Sequence, residues 1–129
     1  MIGELIAEFK GKNTATRILS DGKMETSGIG TGKLLGIDAT MMFTNVSTII
    51  PDGIFIGETN AIIMTANGDA VTMKSQGMGW PSGNGGSSRA ASFQTTQSPK
   101  LMRLNKIIGL HEYETDINND WIGKIWAWK

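Results

Sequence analysis

The sequence predicts an all-β fold, a single antiparallel β-barrel of about eight strands. Three observations carry this. Segments rich in β-formers, several with strict alternation, recur along the whole chain and are separated by turn residues. Seventeen glycines stand against three prolines and are spread through those segments, although each would cost a helix interior ~1 kcal/mol relative to alanine. Finally, 129 residues make one domain, 1–129, with one core. In so small a core, closing the sheet on itself is the simplest way to hide both of its edges.

The elements follow in order. Glu4 to Lys10 and Asn13 to Leu19 read as one extended segment with a bulge or bend at Gly11. Ser20-Asp21-Gly22-Lys23 is a hairpin turn. Met24 to Leu35 carries Gly28, Gly30 and Gly32 at period two. All three therefore share one face, where a backbone or a large side chain comes close. Ile37 to Val46 is the next strand, and Thr48-Ile49-Ile50 leads into the turn Pro51-Asp52-Gly53. From Ile54 to Ile63, one set of alternating side chains (Ile54, Ile56, Glu58, Asn60, Ile62) opposes another (Phe55, Gly57, Thr59, Ala61, Ile63).

Asn67-Gly68 is expected to turn the chain as a type I′ hairpin. Asp69 to Trp80 is a strand, and Pro81 to Gly86 reads as an exposed loop. Ser87 to Thr96 is a strand with Arg89, Ala91 and Phe93 on one face. Ser98-Pro99 then supplies an N-cap and a first helical position, and Leu101 and Leu104 are three apart. One short helical turn or two is expected over residues 98–105. Ile107 to Ile117 is a long strand, Asn118-Asn119-Asp120 a turn, and Trp121 to Trp128 the strand that closes the domain.

Composition removes several function classes. Twelve basic and twelve acidic side chains give no net charge, and the cations are scattered singly. Nucleic-acid binding needs a basic stripe, so it is not expected. With no cysteine and one histidine, thiolate zinc sites and thiol nucleophiles are absent and a metal site is not expected. No apolar run approaches the ~20 residues that span a bilayer, and no secretory leader pattern opens the chain. A cytoplasmic protein with no membrane partner is the expectation. Gly28-Ile29-Gly30-Thr31-Gly32 is not a dinucleotide fingerprint, because more strand follows it rather than a helix. No cofactor is expected.

From about Gly53 onward the order of features is distinctive. Gly57-Glu58-Thr59-Asn60-Ala61 precedes the Asn-Gly turn, then come Gln76-Gly77-Met78-Gly79 and a glycine tract. The Ser87 to Thr96 strand leads to Leu101-Met102-Arg103-Leu104-Asn105, then Glu112-Tyr113-Glu114-Thr115-Asp116 and a terminal Lys124-Ile125-Trp126-Ala127-Trp128-Lys129. This order resembles that of small uncharacterised microbial proteins similar to the allene oxide cyclase barrel. The resemblance implies an eight-stranded antiparallel barrel with a central cavity, often in oligomers. It transfers no catalytic residue.

Each candidate site residue has two readings. Glu58 is either a cavity carboxylate or a strand residue turned to solvent or paired with a cation. Arg89 either clamps a carboxylate inside the barrel or lies outside with its stem on the sheet; Glu58 and Glu112 are its candidate partners. Phe93 shares the face of Arg89. Trp80, beside the glycine tract, either lines a cavity mouth or packs as a core or interface residue. His111 is the sole candidate for a neutral-pH proton shuttle, with a packing role as its alternative. Eight methionines suit a deformable apolar interior.

Three functions remain open: a barrel binding a small apolar or lipid-like ligand, with Glu58, Arg89 or Glu112 as anchors and Trp80 and Phe93 as apolar contacts; a cyclase or isomerase on a lipid-like substrate; or a homo-oligomeric structural protein.

Overall fold

The computed structural model describes residues 2–129. Eight strands run in order: β1 (Ile2–Ile18), β2 (Met24–Leu34), β3 (Ile37–Ile50), β4 (Ile54–Thr65), β5 (Ala70–Ser82), β6 (Gly85–Thr95), β7 (Ile108–Thr115) and β8 (Asp120–Trp128). Each pairs antiparallel with its chain neighbours, and β8 returns to β1 to close the barrel. Among the described residues no helix is long and apolar enough to cross a membrane.

Tight turns make this next-neighbour order possible, and three of them share one construction. Leu19, Thr65 and Asp116 each donate a backbone N–H to the carbonyl four residues on, and each accepts one from the residue three on. That third residue lies in the left-handed region: Gly22 at φ 87, Gly68 at φ 86 and Asn119 at φ 65. Asn67 is not among the positive-φ residues, so Asn67-Gly68 belongs to a three-residue loop rather than the expected type I′ turn. The β2–β3 turn does place both central residues there, Leu35 at φ 49 and Gly36 at φ 78. Nothing in the sequence marked Leu35 for that conformation. The expected loop over 81–86 is mostly strand: Pro81 pairs with Gly86 and Ser82 with Gly85, leaving a turn at Gly83-Asn84.

Gly11 is not the bulge. It stays in register between Gly30 and Trp121; the register with β2 shifts between Asn13 and Ala15, and that with β8 shifts between Ile2 and Ala7. A side chain at Gly11 would strike the backbone of Ile29 and Gly30, which explains the glycine without a bulge.

Residues 99–106 form a 3₁₀ helix that plugs one end of the barrel with buried Leu101 and Leu104. Ser98 makes no side-chain cap bond, contrary to expectation. The Asn105 side chain secures the segment instead, accepting the Thr96 N–H at 2.8 Å and donating to the Thr96 carbonyl at 3.0 Å. Above this plug, inward positions run from largely apolar to aromatic to mixed, with buried polar Gln94, Ser92 and His111 on β6 and β7 as the exception at the closed end. Leu34, Ala39, Ile63, Val71 and Ile125 fill the closed end. Phe43, Trp121 and Tyr113 cross the middle as edge-on pairs, with centroids 5.6 and 5.7 Å apart.

That aromatic layer fits because its neighbours lack Cβ atoms. A Cβ at Gly28 would lie 2.5 Å from the Phe43 ring, and one at Gly30 would lie 2.7 Å from Trp121. A Cβ at Gly123 would enter the Tyr113 ring. The period-two glycines of β2 thus have the role their spacing implied. We expect Gly30→Ala to cost about 1–3 kcal/mol through overpacking. Trp121→Phe should recover part of that loss in a double-mutant cycle followed by urea unfolding. Additive effects of the two substitutions would contradict this packing.

Candidate functional site

The end opposite the plug is open and holds a cavity of about 470 Å³. Met41, Phe43, Met73, Tyr113 and Trp121 line its deep part. Each stands on an inward position of a strand whose closed-end residues are packed, so these side chains form a floor. Nearer the mouth neutral polar side chains join the lining, Asn13, Thr26, Asn45, Ser47, Thr59 and Ser75, beside apolar Met24, Phe55 and Trp80 at the rim. Asn45 Nδ2 donates to Thr59 Oγ1 at 2.8 Å, fixing part of this collar. Among the described residues around the cavity only Arg89 and Asp116 carry charged side chains, and both belong to strand or turn residues near the rim.

A hydrogen-bonded series lies against the floor. Gln94 Nε2 meets Ser92 Oγ, Ser92 Oγ is 2.6 Å from His111 Nε2, and His111 Nδ1 is 3.0 Å from the Tyr113 hydroxyl. Ser92 and Gln94 alternate inward on β6, and His111 and Tyr113 do so on β7. Gly109 makes room for the series, since a Cβ there would lie 2.5 Å from Ser92 Oγ. His111 is 2% exposed, and burial pushes its pKa down to about 4, so the imidazole is neutral at pH 7. Burial also pushes the Tyr113 phenol up, so it stays protonated. The interior chemistry is therefore uncharged.

Of the sequence candidates His111 belongs to this series, and the other five lie on the outer wall. Glu58 faces outward and accepts a bond from Gln76 Nε2 at 3.2 Å. Arg89 faces outward, 3.6 Å from Glu112 and 3.7 Å from Glu114, with its guanidinium carbon 5.7 Å from the Trp80 ring centre. Trp80, Arg89 and Glu112 thus meet on the outer wall beside the mouth, and Glu58 does not join them. Phe93 is outward and 70% exposed. Of the five, Trp80 and Arg89 border the cavity.

Tyr113, Ser92 and Gln94 were not singled out by sequence. Their signal was parity with His111 and with Gly109 and Gly123, small residues on the inward face.

No family model matches this chain, and no curated protein matches its sequence. Its fold is similar to that of several solved proteins. A conserved protein of unknown function from Rhodopseudomonas palustris shares 13% identity at TM-score 0.79, covering 99% of this chain and 100% of that one. A protein with unknown function from Clostridium acetobutylicum shares 12% at TM-score 0.82, covering 97% of each. A β-barrel like protein from Acinetobacter baumannii shares 15% at TM-score 0.79, covering 98% and 94%. The fold is common to all; the identities carry nothing further.

The buried histidine predicts an acid limb in stability. Between pH 6.5 and about 4 the unfolded chain takes up a proton that folded His111 refuses, so stability falls as pH drops through that window. The total is about 3 kcal/mol, levelling off once the folded imidazole also protonates. Urea unfolding of wild type and His111→Gln at pH 7 and pH 4.5 isolates this contribution. The variant should lose less stability over that interval.

Proposed function

We propose that this protein is a binding barrel for a small, uncharged and largely apolar molecule. The observation that supports it is the cavity: about 470 Å³, with an aromatic and methionine floor below a collar of neutral hydroxyl and amide groups. Pockets that enclose small molecules are of about this size, apolar with a few placed polar groups. Met41 and Met73 give the floor some ability to re-form around different shapes. A buried ionic head group finds no counter-charge there. An acid or amine would have to leave its charge at the rim near Arg89 or Asp116.

The resemblance to the allene oxide cyclase barrel agrees with this reading and extends it to lipid-like ligands. A cyclase or isomerase activity would have to work with the neutral series from Tyr113 to Gln94, since Glu58, Arg89 and Glu112 are outside the barrel.

Native mass spectrometry followed by extraction tests the binding reading. A neutral adduct should travel with the wild-type protein. It should be lost in Thr59→Phe/Ala90→Phe, which fills the cavity from two walls, while the thermal midpoint shows that the variant is folded. Retention of the adduct by the filled variant would contradict the reading.

We also propose that the protein self-associates. Phe93, Ile108, Leu110, Trp126, Leu5 and Trp128 lie on the outer wall of β6, β7, β8 and β1. Phe93 is 70% and Trp128 54% exposed. Exposed apolar groups gathered in this way mark contact surfaces more often than isolated ones do. Light scattering should give a mass above that of one chain for wild type and a lower one for Phe93→Glu. A wild-type monomer at high concentration would overturn this.

A further inference from the structure

Tyr113 is the only member of the buried series that lines the cavity; His111, Ser92 and Gln94 lie behind it. The direction in which protons run along the series therefore decides what Tyr113 offers a ligand. In one direction Gln94 donates to Ser92, Ser92 donates to His111 Nε2, and Nδ1–H donates to the Tyr113 oxygen. The phenolic proton is then left unused by the series. In the other, Tyr113 donates to Nδ1 and Nε2–H donates to Ser92. Ser92 then needs an acceptor, and Gln94 Oε1, buried without a partner, can become one if the amide turns over. Tyr113 then offers the cavity only lone pairs. Both directions place one proton each on Ser92, His111 and Tyr113, so neither requires a buried charge.

We propose that Tyr113 is the polar anchor of the cavity floor, and that the Tyr113–His111–Ser92–Gln94 series reverses to suit the ligand. It would offer a donor to a neutral carbonyl or ether oxygen and an acceptor to a neutral N–H or O–H group. This rests on the binding reading above and adds the ligand class: an apolar, mostly aromatic body with one uncharged hydrogen-bonding group at its buried end. The edge-on rings of Phe43 and Trp121 beside Tyr113 suit such a body. Among the described residues no charged side chain hydrogen-bonds to the series; the two ring-nitrogen partners of His111 are Ser92 and Tyr113.

The sole histidine makes the direction measurable, because ¹⁵N-labelled histidine reports one imidazole and distinguishes its two tautomers. Three probes of similar body are compared: 2-acetylnaphthalene, which only accepts; indole, whose N–H only donates; and naphthalene, which does neither. We expect 2-acetylnaphthalene to bring His111 to the Nδ1–H form and indole to the Nε2–H form, with naphthalene leaving the free-protein mixture unchanged. Tyr113→Phe should weaken 2-acetylnaphthalene and indole about 5- to 10-fold, leave naphthalene within about twofold, and abolish the tautomer response.

If naphthalene and the other two bind alike, and neither the tautomer nor Tyr113→Phe discriminates among them, the anchor is wrong while the cavity reading stands. If none binds, both fall. Should Tyr113→Phe unfold, 3-fluorotyrosine at position 113 provides the second arm. Its more acidic phenol should tighten 2-acetylnaphthalene relative to naphthalene, and no change in that ratio would overturn the anchor.

Discussion

The structure depends on fitting a layer of three aromatic rings into a small barrel. Phe43, Trp121 and Tyr113 meet edge to face across the interior, and glycines at inward positions of β2 and β8 leave the volume they need. The layer divides the barrel in two. Below it lie aliphatic side chains, the 3₁₀ plug and the buried His111–Ser92–Gln94 series; above it, the inward positions carry Asn, Ser and Thr beside Met24 and Phe55 and enclose the cavity. Rigid rings give this division a fixed height, which aliphatic side chains alone would hold less firmly. The floor is thus a product of both the rings and the absent Cβ atoms opposite them.

Charge obeys the same division between wall faces. Lys10, Lys12, Glu58, Lys74, Arg89, Glu112 and Lys124 stand outside, where water solvates them and cross-strand partners such as Lys12 and Asp120, 3.0 Å apart, meet. Inside, the titratable groups are His111 and Tyr113, and burial holds both in their neutral forms. A neutral interior avoids the desolvation cost of an isolated ion. It also limits what the cavity can hold, and that limit gives the proposed ligand class.

Much of the architecture was legible in the sequence, because strand period and turn chemistry are local. The eight strands, the period-two glycines of β2 and the Leu101/Leu104 segment could be read from spacing alone. Inside and outside could not. Ile54, Ile56 and Ile62 made the face of Glu58 look apolar and left both its readings open, yet that face meets solvent, and Gly57, Thr59 and Ala61 face in. A period of two defines two faces without naming them, and this barrel keeps its small residues inside, where rings need room. The same reasoning separates Arg89 and Phe93 from Ser92 and Gln94 on β6. The series beneath the cavity was harder to see, since Ser92 and His111 are 19 residues apart and meet only through the β6–β7 register.

Adjacent methionines on β3 offer the most direct test of the central claim, that the open end of the barrel is where a ligand sits. Met41 faces the cavity and Met42, the next residue, faces solvent at 66% exposure. With ¹³C-methyl methionine and saturating 2-acetylnaphthalene, the account predicts intermolecular NOEs to the methyls of Met41 and Met73 and none to Met42 or Met64. NOEs confined to Met42 and Met64 would place the ligand on the outer wall and contradict it.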